Sequence, residues 1–245
     1  MDITQSHGAM AALNFGSAEQ KYDRGSPQLN AGGRVELSPA DGEVLARVGA
    51  RGVVQYVSTL EDSEDLALMI RQMAKRECYF RLFDFTVTVT ESRVFWEQEK
   101  LERPGVRMAG HIRYPWIRSV GYRPKQSFLN DPLVEIEFAQ DFPVASMGTW
   151  YHTIELLFTK GFDPGDLAQL IATQAARHHL KHGCPEPVRQ EVEAMATAPR
   201  LAPPPKNELA TYVMPVFAMY PDCVDYIGDD RPFGKWLYKG VDENS

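Results

Sequence analysis

The sequence predicts an α+β fold in which an antiparallel β-sheet, or partly open barrel, is closed by a C-terminal α-helix. Two observations predict it. Between residues 79 and 183, stretches that alternate apolar and polar residues follow one another with no helical period between them, as antiparallel strands do. One amphipathic helical pattern then ends the region between Asp163 and Gly183. An extra N-terminal helix and an extended C-terminal tail complete the predicted architecture.

The strongest strand signal lies at residues 83–90, where Phe83, Phe85, Val87 and Val89 alternate with polar residues. A short polar turn leads into residues 94–96, the predicted hairpin partner. Further strands are predicted at residues 107–114, 117–122, 133–138 and 152–158. Strands in series without intervening helices indicate an antiparallel meander and disfavour βαβ units.

Two helices have recognisable ends. Ser58 and Glu61 have the spacing of a capping box, which predicts a helix over about residues 61–76. Asp163 as N-cap followed by Pro164 predicts the start of the last helix. Gly183 predicts its end.

The composition divides the chain into four parts. Residues 1–33 are rich in Gly, Ser, Gln and Asn and predict a flexible arm. Residues 34–183 form the predicted sheet-plus-helix domain, with the extra helix inside it. Residues 184–207 form a predicted proline-rich linker. Residues 208–245 form a predicted docking tail rich in aromatic side chains.

The bulk numbers exclude some classes of function. A chain of 245 residues, 44% of them hydrophobic, can bury one sizeable core. The net charge of -7 argues against non-specific binding of nucleic acid. Three scattered cysteines favour a reducing compartment. With no secretory signal and no apolar run of about 18 residues, we expect a cytoplasmic protein.

Two short motifs suggest a family. They are Thr90-Glu91-Ser92-Arg93-Val94, at a strand end, and the stretch from Ile112 to Val120 that reads I-x-Y-x-x-I-x-S-V. Both resemble short sequence motifs of bacterial pleckstrin-homology-like (PH-like) domains, and the resemblance covers about residues 79–183. It implies binding of a phosphoinositide, a peptide or a protein, or a scaffolding role. It brings no catalytic residues.

Basic side chains interleaved with aromatic ones follow these strands, and they are the first candidate binding residues. The set is Arg107, Arg113, Trp116, Arg118, Arg123 and Lys125. Arginine binds phosphate or carboxylate in a bidentate manner, so such a face could hold phosphates or an acidic partner. The alternative is that these are outward-facing strand residues balanced by nearby glutamates.

Other chemistry has weaker signals. His178 and His182 are one helical turn apart and precede Cys184, so they could share a metal, yet they also suit the negative end of a helix. We therefore predict no metal site and no cofactor. The sequence contains neither a nucleophile elbow nor a phosphate-binding glycine loop, and no catalytic residues are predicted.

The tail offers the second set of candidate binding residues: Phe233, Trp236 and Tyr238. Trp and Tyr are typical interface anchors. They predict a docking peptide for a protein partner or for a second copy, with folding back onto the chain's own sheet as the alternative.

Taken together, the sequence predicts a non-catalytic protein-interaction or scaffold protein on a PH-like module. Its partner is expected to be a protein, or the chain itself through the tail. One alternative is binding to phosphoinositide or a membrane surface through the Arg-rich strands. Another is an enzyme with an unrecognised site. Nucleic acid is not an expected partner.

Overall fold

The structure, a computed structural model, describes residues 13–14, 28–29, 35–37, 41–59, 85–98, 109–126, 130–141 and 149–216. Within these ranges the fold is α+β, with two five-stranded antiparallel sheets and two α-helices. The sheets are not closed into a barrel over the described residues. The helix predicted at 61–76 lies outside them.

The strands in chain order are β1 (Leu13–Asn14), β2 (Gln28–Leu29), β3 (Val35–Glu36), β4 (Val44–Ala50), β5 (Gly52–Thr59), β6 (Phe85–Thr90), β7 (Arg93–Gln98), β8 (Ala109–Arg113), β9 (Ile117–Arg123), β10 (Leu133–Asp141), β11 (Thr149–Leu157) and β12 (Ala210–Val213). The helices are α1 (Gly165–Lys181) and α2 (Arg189–Ala196). The predicted strands at 83–90, 94–96, 107–114, 117–122, 133–138 and 152–158 overlap β6 to β11.

The first sheet has the order β1-β8-β7-β6-β4, and the second has the order β12-β9-β10-β11-β5; β2 and β3 pair separately. The chain passes between the two sheets at Arg51, which separates β4 from β5. It passes again at the 3-10 turn Tyr114–Trp116, which separates β8 from β9. Both sheets contribute to one core.

The core forms where the apolar positions of neighbouring strands face each other. Val87 lies opposite Trp96, and Val89 lies opposite Val94. All four are fully buried. Cross-strand pairs of aromatic and β-branched residues stabilise a sheet, and each large side chain buried contributes about 1.5–3 kcal/mol. Ile171 of α1 belongs to the same cluster of buried residues.

Strand β6 is buried on both faces. Its apolar positions lie in the core, but Thr86, Thr88 and Thr90 are buried as well. Alternation of this kind is typical of a strand with one wet face. Here the polar side is also shielded from water, as is the ion pair between Arg93 and Asp41, whose Nε and Oδ1 atoms are 2.6 Å apart.

Helix α1 lies where the sequence indicates a helix, with its start shifted by one residue, because Pro164 and not Asp163 is the N-cap. It begins at Gly165, whose N–H donates to Asp163 Oδ1 at 3.1 Å. It ends at Lys181, and Gly183 then has a φ of +101°, a left-handed conformation that glycine adopts without strain. The helix packs on β9 and on the Tyr114–Trp116 turn.

The segment predicted as a linker contains regular structure. A 3-10 turn at Glu186–Val188 leads into α2, which packs against α1. Val188, Val192 and Ala196 are buried. The division of the chain into arm, domain, linker and tail stays a prediction.

Among the described residues, none of the helices combines the length and the apolar character needed to cross a membrane.

Candidate functional site

Strand β12 is the most informative feature for function. It lies within the predicted tail and pairs antiparallel with β9, so that Ala210 lies opposite Tyr122 and Val213 lies opposite Ser119. The ladder continues through the Met214 N–H, which donates to the Arg118 carbonyl at 2.8 Å. A segment that follows α2 thus adds a strand to the edge of the second sheet.

The side chains of this added segment alternate between burial and exposure. Tyr212, Met214 and Val216 are buried, and the last two have no exposed surface. Thr211 is exposed, and Val213 is 54% exposed. From Ala210 to Met214 this period of two is that of an extended strand at a sheet edge, and it ends there because Pro215 and Val216 are helical. We call the space that the buried side chains of this segment fill, between β9 and residues 199–201, the β9 groove.

The Tyr212 ring is fixed by its hydroxyl group. The Leu201 N–H donates to Tyr212 Oη at 3.0 Å, and Tyr212 Oη donates to the Pro199 carbonyl at 3.3 Å. On the other side, Tyr122 Oη of β9 donates to the Leu201 carbonyl at 2.7 Å. Burial raises the pKa of Tyr212, which keeps the phenol neutral and able to donate. The Tyr212 hydroxyl group therefore joins β12 to residues 199–201.

An arginine holds the wall of the groove in place. Arg200 Nη2 contacts both carboxylate oxygens of Asp163, at 2.7 and 2.6 Å, and its Nη1 contacts Asp166 Oδ1 at 3.0 Å. Hydrogen bonding from Arg200 lowers the pKa of Asp163. The guanidinium carbon also lies 5.8 Å from the centre of the Tyr122 ring. We call this set of ion pairs the Arg200 latch.

Gly165 makes room for the latch. A Cβ atom at this position would overlap the Arg200 guanidinium group. At Gly161, by contrast, an added Cβ would meet no atom within 4 Å among the described residues. The absence of a side chain at Gly165 is therefore a steric requirement of the latch.

A tight turn returns the chain toward β9. Asn207 has a φ of +67°, in the left-handed region that asparagine tolerates better than most residues. Gln126 ties the turn: its Nε2 donates to the carbonyls of Pro204 and Pro205 at 3.1 and 3.0 Å, and its Oε1 accepts from the Asn207 N–H at 2.6 Å. The close approach continues at Gly121, which lies opposite Thr211.

Those predicted basic residues that the structure describes do not lie together. Arg113 ends β8 in the first sheet, opposite Arg93. Arg118 is the extra residue of a β-bulge between β9 and β10, and Arg123 ends β9. Arg118 and Arg123 are five residues apart on one strand, which is about 17 Å. Lys125 is exposed just beyond.

The aromatic candidates have different locations. Trp116 is 1% exposed and belongs to the core, where its ring lies 6.4 Å from Phe138 and 5.3 Å from His111. Its indole is therefore not a surface group. Four other predicted binding residues lie outside the described ranges: Arg107, Phe233, Trp236 and Tyr238.

Two glutamates face each other on the second sheet, and the pKa of one of them is raised. Glu135 and Glu155 lie directly opposite each other on β10 and β11. The pKa of Glu135 is raised to about 7, chiefly by burial and then by the charges of Glu155 and Glu137, while the charge of Arg123 lowers it. Glu137 accepts a hydrogen bond from Ser119 Oγ at 2.8 Å. Burial beside these like charges therefore favours the protonated form of Glu135.

The histidines at the end of α1 form a stack. The rings of His178 and His182 are 4.2 Å apart, as their spacing of one helical turn predicts. His179 is buried, and burial lowers its pKa to about 3, so it stays neutral. Burial raises the pKa of the Cys184 thiol. Over the described residues, no three His, Cys, Asp or Glu side chains are grouped so as to hold a metal ion.

Comparison with known protein families and with characterised proteins found no match to this chain.

Sequence reasoning missed the residues that build the β9 groove. Tyr212 was grouped only with the tail aromatics, although the order Tyr212, Met214, Val216 has the period of a strand. Arg200 carries no local signal, because its carboxylate partners lie 34 and 37 residues away.

Proposed function

We propose that this chain is a non-catalytic protein-interaction or scaffold protein built on a PH-like module, and that it binds protein partners along the β9–β12 edge. The observation that carries this proposal is the addition of β12 to β9. The edge takes up an extended segment, which is how many interaction modules recognise a peptide.

The order of elements supports the PH-like part of the proposal. The bent pair β4–β5 contributes one strand to each sheet, β6 to β8 extend the first sheet, and β9 to β11 extend the second. Helix α1 follows the last of them and packs on β9. Eight antiparallel strands in two sheets, followed by a helix, agree with the sheet-plus-helix arrangement that the motif resemblance leads us to expect.

The outer side of β12 is suited to receive a further strand. The Met214 N–H bonds to β9, so by the alternation of an antiparallel ladder the N–H and C=O groups of Thr211 and Val213 point away from β9. Both residues are exposed, and β12 is the last strand of the second sheet among the described residues. Such an edge pairs readily with an extended partner.

The distribution of arginines favours a protein over a lipid headgroup. A phosphate site needs several cationic groups within reach of one anion. Arg113 and Arg123 lie on different sheets, and Arg118 lies about 17 Å from Arg123 along β9. Because these charges are spread apart, we favour a protein that binds at the edge strand over a lipid headgroup that binds to the arginines.

Site-specific photo-crosslinking tests the proposal. The full chain carries a photoreactive amino acid in place of Val213, and the matched control carries it in place of Lys206, which is exposed in the turn before β12. We expect a discrete protein adduct from position 213 that is absent from position 206. Equal adducts from both positions, or salt-sensitive binding to anionic vesicles without any protein adduct, would contradict the proposal.

The predicted docking role of the tail has a separate test. A chain that ends after Val216 keeps β12 and loses Phe233, Trp236 and Tyr238. If these anchors hold the partner, the adduct from position 213 weakens in the shortened chain. An undiminished adduct would assign the partner to the sheet edge alone.

A further inference from the structure

We propose that the exposed proline segment between α2 and β12 is a ligand for an aromatic-lined groove of a partner protein. The segment consists of Ala202, Pro203, Pro204 and Pro205. Three of these residues, Ala202, Pro203 and Pro205, are exposed, and we call them the proline ridge. The ridge is a different surface from the open edge of β12, so this inference goes beyond the proposed function.

The three successive prolines restrict the backbone of the segment. The rings of Pro203 and Pro204 hold φ at about -65°. Ala202, Pro203 and Pro204 each precede a proline, which disfavours the helical region and favours the extended one. These two restrictions together define the polyproline II conformation, a left-handed helix with about three residues per turn. Residues 201–204 are neither α-helix nor β-strand in the structure, as this conformation requires.

The exposure of the segment follows the same period of three. Leu201 and Pro204 are half-buried, whereas Ala202, Pro203 and Pro205 are exposed. Residues three positions apart lie on the same side of a polyproline II helix, so Leu201 and Pro204 share the side that faces the protein. The other two sides face solvent and form the proline ridge.

The side that faces the protein holds the segment in place. The Leu201 carbonyl accepts a hydrogen bond from Tyr122 Oη at 2.7 Å, and the Pro204 carbonyl accepts one from Gln126 Nε2 at 3.1 Å. The Arg200 latch fixes the chain just before the segment. Because the segment is already ordered, it loses little conformational entropy when a partner binds it.

The chemistry of the ridge selects its partner. Pro203 and Pro205 have no backbone N–H group, so they cannot donate to a strand of a partner's sheet. None of the three ridge residues carries a charge, which disfavours a phosphate group as the ligand. The ridge presents apolar ring surface, and polyproline II segments dock into grooves lined by aromatic side chains. A protein with such a groove is therefore the occupant that fits.

Photo-crosslinking with a competing peptide tests the inference on the full chain. The chain carries a photoreactive amino acid in place of Ala202, and the matched control carries it in place of Ala194, an exposed alanine of α2. Both are illuminated in an extract of cells that produce the protein. We expect an adduct from position 202 that is absent from position 194.

The competitor is a synthetic peptide of residues 199–207. In excess it is expected to reduce the adduct from position 202 at least about 10-fold, because it offers the same prolines to the groove. The same peptide with Ala at positions 203, 204 and 205 is the control and is expected to leave the adduct in place.

The captured protein is then purified and mixed with the full chain labelled with carbon-13 at its prolines. Aromatic rings packed on a proline move its proton signals upfield in the nuclear magnetic resonance spectrum. We expect this shift at Pro203 and Pro205, and no shift at Pro187, which is exposed before α2. Pro203→Ala is expected to weaken binding about 5- to 10-fold, and its thermal unfolding shows whether the variant is folded.

Several outcomes would overturn the inference. They are the lack of an adduct from position 202, an adduct that both peptides reduce equally, and binding without upfield shifts at Pro203 and Pro205. An adduct with twice the mass of the chain would assign the ridge to a second copy instead. The adduct from position 213 is a separate readout, so either the ridge or the proposed function can fail while the other holds.

Discussion

Strands β6 and β12 are both parts of antiparallel sheets, yet their surroundings differ. β6 lies between β4 and β7, and every one of its six residues is buried. β12 has β9 on one side, and Val213 and Thr211 face solvent. A strand with partners on both edges and cover on both faces holds the fold together. A strand with one partner leaves its other edge open to solvent.

The largest expected effect on the free energy of unfolding comes from a substitution in the core beside β6. Trp96 pairs with Val87 of β6 and has no exposed surface. Replacing Trp96 with Ala leaves a cavity and is expected to lower the free energy of unfolding by about 3–5 kcal/mol. Chemical denaturation measures this loss. Val213→Ala on β12 is the control, with an expected change within about 0.5 kcal/mol; equal losses at the two positions would remove the contrast between the strands.

The buried ion pair at the end of the first sheet is the next test. Asp41 and Arg93 are both nearly inaccessible, so Asp41→Asn removes a negative charge that lies 2.6 Å from a buried guanidinium. We expect a loss of about 3 kcal/mol in the free energy of unfolding. The exposed pair of Arg51 and Asp131, at 2.8 Å, provides the control, for which Asp131→Asn is expected to cost about 0.5 kcal/mol. Similar costs for the two pairs would show that burial is not what distinguishes them.

Glu135 makes the stability of the second sheet depend on pH. Its pKa is raised to about 7 in the folded chain, mainly by burial, against an ordinary value near 4.5. The folded state therefore holds this proton more tightly than the unfolded state does. The resulting stability is fully present below about pH 4.5 and is lost as the pH rises through 7.

The corresponding variant is Glu135→Gln. It is expected to be more stable than the parent by about 1–2 kcal/mol at pH 8, with solvent screening of the half-buried carboxylate included, and equal to it at pH 4.5. Thermal unfolding at both pH values measures the difference. A gain that does not depend on pH would exclude the titration of Glu135 as its cause.

The smallest expected effect is at the tyrosine of β12. Tyr212→Phe keeps the ring and removes the hydroxyl group that contacts Leu201 and Pro199. We expect the free energy of unfolding to fall by about 1 kcal/mol. Denaturant titration measures it, with Tyr122→Phe as the partner variant. The double variant should lose less than the sum of the two, because both hydroxyl groups contact Leu201; strict additivity would indicate two independent sites.

Local signals in the sequence identify the elements that are determined locally. The alternation at residues 83–90 predicts β6, and Asp163 and Gly183 bracket α1 within two residues of its ends. These signals depend on neighbours in the chain, because capping and strand period are local properties. The sequence therefore predicts the α+β class and most of the central strands.

The β9 groove could not be predicted, because it depends on contacts between residues far apart in the chain. β12 has four residues and follows three prolines, so its strand character depends on β9 rather than on its own propensity. Trp116 stands between basic residues and resembles a surface anchor, but the 3-10 turn at Tyr114–Trp116 directs it into the core. Contacts across long stretches of chain leave little trace in local composition.

The pairing of β12 with β9 also has a consequence for synthesis of the chain. Tyr122 of β9 contacts Leu201, about 80 residues later, and β12 follows that residue. At about 5–20 residues per second, a ribosome needs roughly 4–16 seconds to cover this interval. During that time the nascent chain presents an uncovered sheet edge to chaperones and to any strand nearby.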